Sequence, residues 1–313
     1  MGNILDGTKL SDEIKADVKK EVGTLNKIGI DVGLALLLVG ENPASIQYFD
    51  ATLRACSRVG ITAYEFKLPQ TVTVNEILNV VHSINIDERI NGLLILMPLP
   101  RHMNARRIIN SIVPEKDIDG LGAISVGRLA ADESTFQLFR RDEDDMNQRS
   151  RFIPSIWSFL PCTPFGVIRL LEHHKIAITG KYAVIVGKSL AVGKPLSMMF
   201  LAKGATVTVC HKETQNLGSI TRQADILCSA TGRIGLIKGT MVKKGAVVVD
   251  IGINVLKNGT ITGDVDFQSV SKKASMVTPV PGGVGPVTIA MLLENTVRSA
   301  QRNELFKSPL TTG

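Results

Sequence analysis

Aromatic residues make up only 4% of the chain, and the lysines and arginines behind its formal charge of +7 are scattered in pairs. Without a basic helix or aromatics interleaved among cations, nucleic acid is not an expected partner. Cysteine is sparse as well. Cys56, Cys162, Cys210 and Cys228 lie far apart with no CxxC pair, and the five histidines show no ligand spacing. Neither zinc nor a disulfide framework is supported, so no metal is expected and the thiols read as reduced, mostly packing groups. Long apolar runs are missing too, since stretches such as Val32 to Val39 fall far short of a membrane span. The N-terminus lacks both the basic-then-apolar order of a signal peptide and the hydroxyl residue of a myristoylation signal, which makes the cytoplasm the expected compartment.

What the chain does have is size. Its 313 residues, 44% of them hydrophobic, suffice for one large core and more readily for two domains. Ile14, Val18, Val22 and Leu25 recur at helical spacing among charges, predicting an opening helix from Ser11, as N-cap, to Lys27. A buried strand over Asp31 to Val39 follows, then a helix over Ala44 to Val59 starting near Ser45. Ile61 to Leu68 and Gly92 to Leu96 read as strands flanking a helix over Val74 to Asn85, and the second strand delivers the loop Met97-Pro98-Leu99-Pro100. A helix is expected from Pro161 to about His174, with adjacent His173 and His174 on different sides of it as surface groups. Beyond it, strands over Tyr182 to Val186, Thr206 to Cys210, Ile226 to Ser229 and Ala246 to Ile251 alternate with helices, one of them over Ser219 to Ala224. Right-handed crossovers among them give a doubly wound parallel sheet, so the fold class is α/β. Val287 to Glu304 is apolar at helical spacing.

Gly180 to Leu201, GKYAVIVGKSLAVGKPLSMMFL, places a β-branched strand, a glycine turn and a helix start in succession. Gly187 breaks the strand, Gly193 permits close backbone approach, and Lys194-Pro195 sits where a first helical turn tolerates proline. The amides and positive end of that helix favour a pyrophosphate. Ser189 stands where the second glycine of GxGxxG belongs, so spacing alone weighs a cofactor turn evenly against an ordinary packing turn.

GKSLAVGKP resembles the corresponding turn of the methylenetetrahydrofolate dehydrogenase/cyclohydrolase family. ILDGTKL, VGENPASIQY, MPLP, PEKDIDGL, PCTPFGV, ATVTVCH, GDV and TPVPGGVGPVTIAML resemble further motifs of that family in the same order. The resemblance implies an N-terminal folate-binding unit over 1–129, completed by 287–313 through a C-terminal helix returning to it, and a Rossmann-like NAD(P)-binding unit over 161–286. It also implies a homodimer. Residues 130–160 exceed the family's link by about twenty residues; their charged centre RRDEDDMNQRSR reads as an exposed flexible loop, with a lid as the second reading.

By the same resemblance, Tyr48 orients the folate, Asp119 contacts the pterin, and Pro281, Gly282, Gly283 and Pro286 shape the wall where folate meets nicotinamide. Gly187, Lys188, Ser189, Gly193, His211, Lys212, Thr231, Gly232 and Ile253 fall at cofactor-binding positions. Without the resemblance, Tyr48 reads as a half-buried helix residue and Asp119 as a turn cap. Lys188 and Lys212 favour NADP, whereas Glu213, about twenty residues past the turn, would suit an NAD ribose; NADP is the expected cofactor. A basic surface also suits a polyglutamate-tailed folate.

Two catalytic positions depart from the family pattern: Thr52 stands at the lysine four residues after Tyr48, and Leu96 at the glutamine. Apart from these, Ser125 replaces a family asparagine. Hydride transfer needs placement, whereas hydrating the methenyl product needs a proton carrier. Threonine is too weak an acid or base, and Arg54 lies about 200° round the helix and stays protonated. The expectation is therefore a methylenetetrahydrofolate dehydrogenase with weak or lost cyclohydrolase activity. A bifunctional enzyme making 10-formyltetrahydrofolate and a non-catalytic folate- or nucleotide-binding paralogue remain open beside it.

Overall fold

The computed structural model describes residues 3–131, 158–256 and 258–307. Two parallel sheets organise them. The smaller sheet has three strands in the order β3-β2-β4: β2 (Gly33–Val39), β3 (Thr62–Leu68) and β4 (Gly92–Ile95). β2 is buried at every position, as its unbroken aliphatic run GLALLLV demands of a central parallel strand. Around it lie α1 (Gly7–Lys27), α2 (Pro43–Val59), α3 (Val74–Ile86) and the short α4 (Ala105–Ile109). α5 (Ala123–Ala131) and α6 (Cys162–His173) lead to the second sheet.

That sheet is built from β1 (Asn3–Ile4), β5 (Tyr182–Val186), β6 (Thr206–Cys210), β7 (Ile226–Ser229), β8 (Val247–Asp250) and β11 (Met276–Val277), in the order β1-β11-β8-β7-β5-β6. α7 (Gly193–Ala202) joins β5 to β6, and α8 (Leu217–Thr221) joins β6 to β7. β9 (Asn254–Val255) and β10 (Ile261–Thr262) pair antiparallel as a small hairpin, and α9 (Phe267–Val270) precedes β11. The chain runs outward from β5 to β6 and then returns to β7 on β5's other side. The strand order therefore reverses between β5 and β7, and a crevice opens there at the strands' carboxyl ends.

α10 (Val284–Lys307) closes the molecule. Val287, Ala290, Met291, Leu292, Leu293 and Val297 are fully buried, and the helix packs on α1, α6, α2 and β4. Its side chains, those of α1 and α6, and the inner faces of β2 and β5 belong to one continuous apolar cluster. The C-terminal helix thus packs against the N-terminal elements, as the resemblance implied.

Several local expectations are corrected. α1 begins four residues before Ser11, because the Asp6 carboxylate caps it by accepting from the Thr8 N–H at 2.8 Å. Ser11 is buried instead, donating its hydroxyl to the Pro286 carbonyl at 2.8 Å. α2 is capped by Asn42 rather than started at Ser45, and the freed Ser45 hydroxyl donates to the Met97 carbonyl at 2.9 Å. The helix expected over Ser219 to Ala224 lies at Leu217–Thr221. α10 starts at Val284, three residues before the periodic run, with Pro286 in the first turn where its missing N–H costs nothing. Asn3–Ile4 pairs with Met276–Val277 in the larger sheet, although the N-terminal unit was expected to start at residue 1. The charged centre of the 130–160 segment lies outside the described residues.

Among the described residues no helix is long and apolar enough to cross a membrane, and no three histidine, cysteine or acidic groups converge in a way that could hold a metal ion.

Candidate functional site

The crevice begins at the turn after β5. Gly187 has φ +125°, and a side chain there would strike the Ala230 carbonyl after β7. Gly193 is fixed for a different reason: any Cβ would collide with the Gly187 carbonyl, so α7 can approach β5 only with glycine at its first position. The Ser189 hydroxyl accepts from the Val192 N–H at 3.1 Å and so shapes the loop into the helix. It leaves its own proton to donate. The first-turn amides of α7 are not free, although the sequence had suggested they would be: the Lys194 N–H donates to the Ser189 carbonyl at 3.1 Å, the Gly193 N–H faces the Ser189 hydroxyl at 3.5 Å, and Pro195 has none. What the turn offers the pyrophosphate of a dinucleotide is a side-chain-free approach at Gly187 and Gly193 beside the positive end of the helix.

β5 and β6 are paired with Val186 opposite Cys210, so Lys188 and His211-Lys212 leave neighbouring strands at the same edge. Lys188 is exposed. Lys212 pairs with Glu213 at 3.5 Å, both largely in solvent, so the two residues that argued for different cofactors face one another. On the other side of the reversal lie Thr231 and Gly232, the latter at φ +65°. Ile253 follows β8 and keeps 49% of its surface exposed, unusual for an isoleucine beside a sheet and suited to an apolar ring.

The loop Pro279 to Gly283 follows β11. The Gly282 carbonyl accepts from the Gly7 N–H at 2.9 Å, and Gly7 packs so closely on the Gly283 carbonyl that no side chain would fit. The DG pair opening the chain and the PGG run near its end are therefore two halves of one contact.

Across the crevice, α2 carries Tyr48 and Thr52 on one face. Tyr48 is half-buried, and its phenol is held well above its ordinary pKa, first by burial and then by the nearby Asp119 and Cys162. Thr52 is fully buried and donates its hydroxyl to the Tyr48 carbonyl at 2.8 Å, one turn back. Leu96, just past β4, is 2% exposed and brings no polar atom.

Asp119 ends a loop fastened from several sides. A 3-10 turn at Pro114–Lys116 opens it. The buried Lys116 ammonium donates to the Ile84 and Asp87 carbonyls at 2.7 and 2.8 Å. Asp117 accepts from the Leu121 and Gly122 N–H groups and, at 2.6 Å, from the Ser125 hydroxyl. From α10, Asn295 donates to the Ile118 carbonyl at 2.9 Å and Ser299 to the Glu115 carbonyl at 2.8 Å. Burial pushes the Asp119 carboxyl up to about 7, the Asp117 charge adds to this, and the Cys162 thiol opposes it. Asp117 itself is pushed up to about 6 by burial against the pull of Ser125 and the backbone donors.

Tyr48 and Asp119 are thus brought together, with Thr52 one turn along from Tyr48. Cys162 is a free, fully buried thiol within the apolar core, in keeping with the packing role expected of the cysteines; it also donates to the Ile118 carbonyl at 3.2 Å, accepts from Asn295 at 3.4 Å, and lies beside Asp119. Its motif, PCTPFGV, was visible, but nothing in the sequence paired it with PEKDID. Asn295 was missed, since a lone asparagine in an apolar helix gives no signal. His173 and His174 stay outside the crevice, near Glu13 and the Asp6 carbonyl.

Comparison with known proteins covers both halves. A family model for the tetrahydrofolate dehydrogenase/cyclohydrolase catalytic domain matches residues 5–119, and one for the NAD(P)-binding domain of the same family matches residues 161–304. The Bifunctional protein FolD of Thermodesulfovibrio yellowstonii is 44% identical over 95% of this chain and 96% of its own length. That of Moorella thermoacetica is 45% identical over 96% and 99%. Among solved structures, the bifunctional FolD methylenetetrahydrofolate dehydrogenase/cyclohydrolase of Campylobacter jejuni matches with a TM-score of 0.85 and 44% identity, covering 97% of this chain and all of that one. The Trypanosoma brucei enzyme, complexed with NADP cofactor and inhibitor, also gives 0.85, at 31% identity over 97% and 98% of the two chains.

Proposed function

This chain belongs to the tetrahydrofolate dehydrogenase/cyclohydrolase family, and on that premise we propose that it oxidises 5,10-methylenetetrahydrofolate to the 5,10-methenyl form with NADP, its hydration step being weak or lost. The observation carrying this reading is the state of Thr52 and Leu96, where the family resemblance expects a lysine and its glutamine partner. A buried hydroxyl already spent on the helix backbone beside an aliphatic side chain offers no group that takes up and releases a proton near neutral pH.

Bound NADP supplies the hydride acceptor. The chain's own residues do the placing: Asp119, as a carboxylate, accepts from the pterin's N–H groups, and the ring of Tyr48 packs against the folate. Gly282 and Gly283 let the folded backbone approach where the two ligands meet. Gly187 and Gly193 let the pyrophosphate come close to the positive end of α7, and Lys188 faces the ribose end, where its charge favours a 2′-phosphate. By family analogy the working form is a cytoplasmic homodimer.

A second reading, the bifunctional dehydrogenase/cyclohydrolase, is favoured by the names of the relatives, which are 42–45% identical. It finds local support in Asp119, whose carboxyl at about 7 can exchange a proton at neutral pH. One experiment separates the two. Purified protein is given methylenetetrahydrofolate with NADP or NAD, and methenyl and formyl products are followed together. The first reading expects methenyl product to accumulate in step with NADPH, and the Thr52→Lys, Leu96→Gln double variant to hydrate it faster by about tenfold or more. Formyl product appearing in step with NADPH in the unaltered protein would refute it in favour of the bifunctional reading. Binding without turnover would refute both.

A further inference from the structure

Asp264 is completely buried and lies away from the folate contacts just described. Its carboxylate nevertheless accepts five hydrogen bonds. One oxygen takes the Thr231 N–H at 2.6 Å, the Thr231 hydroxyl at 2.9 Å and the Ser229 hydroxyl at 3.1 Å. The other takes the Arg233 N–H at 2.9 Å and the Asn254 side-chain amide at 3.1 Å. Ser229, Thr231 and Arg233 belong to the end of β7 and its loop; Asn254 opens the β9-β10 hairpin after β8. The same group thus ties together the two loops on the β7-β8 side of the crevice.

Asp264 is itself fixed. Its N–H donates to Asp250 at 3.0 Å, and Asp250 also holds the Gly252 and Val265 N–H groups. Neither Gly252 nor Gly263 could carry a side chain, since a Cβ would strike the Asp264 or Asp250 carboxylate respectively. The hairpin extends the arrangement outward. Its Gly259 carbonyl accepts from Gln47 at 3.4 Å, and Gln47 is the neighbour of Tyr48 on α2.

Resting on the dehydrogenase reading, we propose that Asp264 is a positioning residue: it holds the Thr231–Arg233 loop and the Asn254 hairpin as one wall of the nicotinamide nucleotide site and, through the hairpin tip, sets that wall against the helix bearing Tyr48. Only an acceptor on both oxygens can do this. In Asp264→Asn, one orientation aims the new amide at the Thr231 N–H, and the other aims it at the Arg233 N–H and the Asn254 amide. Each sets donor against donor.

The test compares Asp264→Asn with the unaltered protein by titrating NADPH and tetrahydrofolate separately, with circular dichroism to establish folding. NADPH binding is expected to weaken by about tenfold or more, as when a buried charged acceptor is withdrawn. Tetrahydrofolate affinity without nucleotide should stay within about twofold, a split that general destabilisation would not produce. Folded Asp264→Asn with unchanged NADPH affinity, or equal loss for both ligands, would overturn the proposal. Unaltered protein that binds no NADPH would overturn the dehydrogenase reading and this proposal with it. Should Asp264→Asn fail to fold, Asn254→Ala removes a single tether: NADPH binding weakened by about threefold supports the proposal, and unchanged binding refutes it.

Discussion

The Asp119 carboxyl, pushed up to about 7 by burial and by Asp117, shows how far one side chain's environment can alter its use. If the ionised form receives the pterin's donors, the ionised fraction, and with it folate affinity, must rise with pH through that value. KM for folate is expected to fall between about pH 6 and about pH 8 and to level off above, while Asp119→Asn should bind weakly with a flat profile. A KM independent of pH in the unaltered protein would mean that the carboxyl is already ionised at pH 6 or does not meet the substrate. Thr52 makes the opposite point. Its hydroxyl faces back to Tyr48 rather than into the crevice, so it cannot be read as a conservative stand-in for a proton-carrying amine.

At the scale of elements, α10 does more than fill a core. Asn295 and Ser299 reach from it to the carbonyls of Ile118 and Glu115, and Arg302 lies within 3.4 Å of the Glu115 carboxylate. The loop carrying Asp119 is thereby pinned by a helix almost two hundred residues away in sequence. Asn295→Ala leaves the Ile118 carbonyl short of a buried donor and should cost about 1–3 kcal/mol in denaturant unfolding. It should also raise KM for folate more than KM for NADP. Equal effects on both would show that the loop keeps its place without the helix. β5 and α7 show the same dependence from the strand side: a single methyl at Gly193 would force them apart.

For the whole molecule, the continuity of the apolar cluster from β2 through α1, α6 and α10 to β5 predicts how it unfolds. Two sheets sharing one core should melt together. Calorimetry is expected to give a single transition that shifts upward as a unit when NADPH is added, although the proposed nucleotide site lies at the edge of only one sheet. Two separable transitions, of which NADPH moves only one, would show that the shared helices do not couple the sheets. Met291→Ala, deep in that cluster, should lower the whole transition by about 2–5 kcal/mol rather than uncouple part of it.

Periodicity and glycine placement were enough to read most of the architecture. The short β-branched or aliphatic runs GLALLLV and YAVIV suit central parallel strands, and Gly187 and Gly193 marked the turn at the strand reversal because local backbone sterics act within a few residues. The motifs likewise singled out Tyr48 and Asp119. What stayed hidden depends on contacts between distant segments. Asp6 rather than Ser11 caps α1, and Ser11 is claimed by Pro286; Cys162 packs in the core but also meets Ile118 and Asn295; Asp264 gathers five donors from two loops. A sequence states which groups can donate or accept, but burial and the return of the chain on itself decide which of them meet.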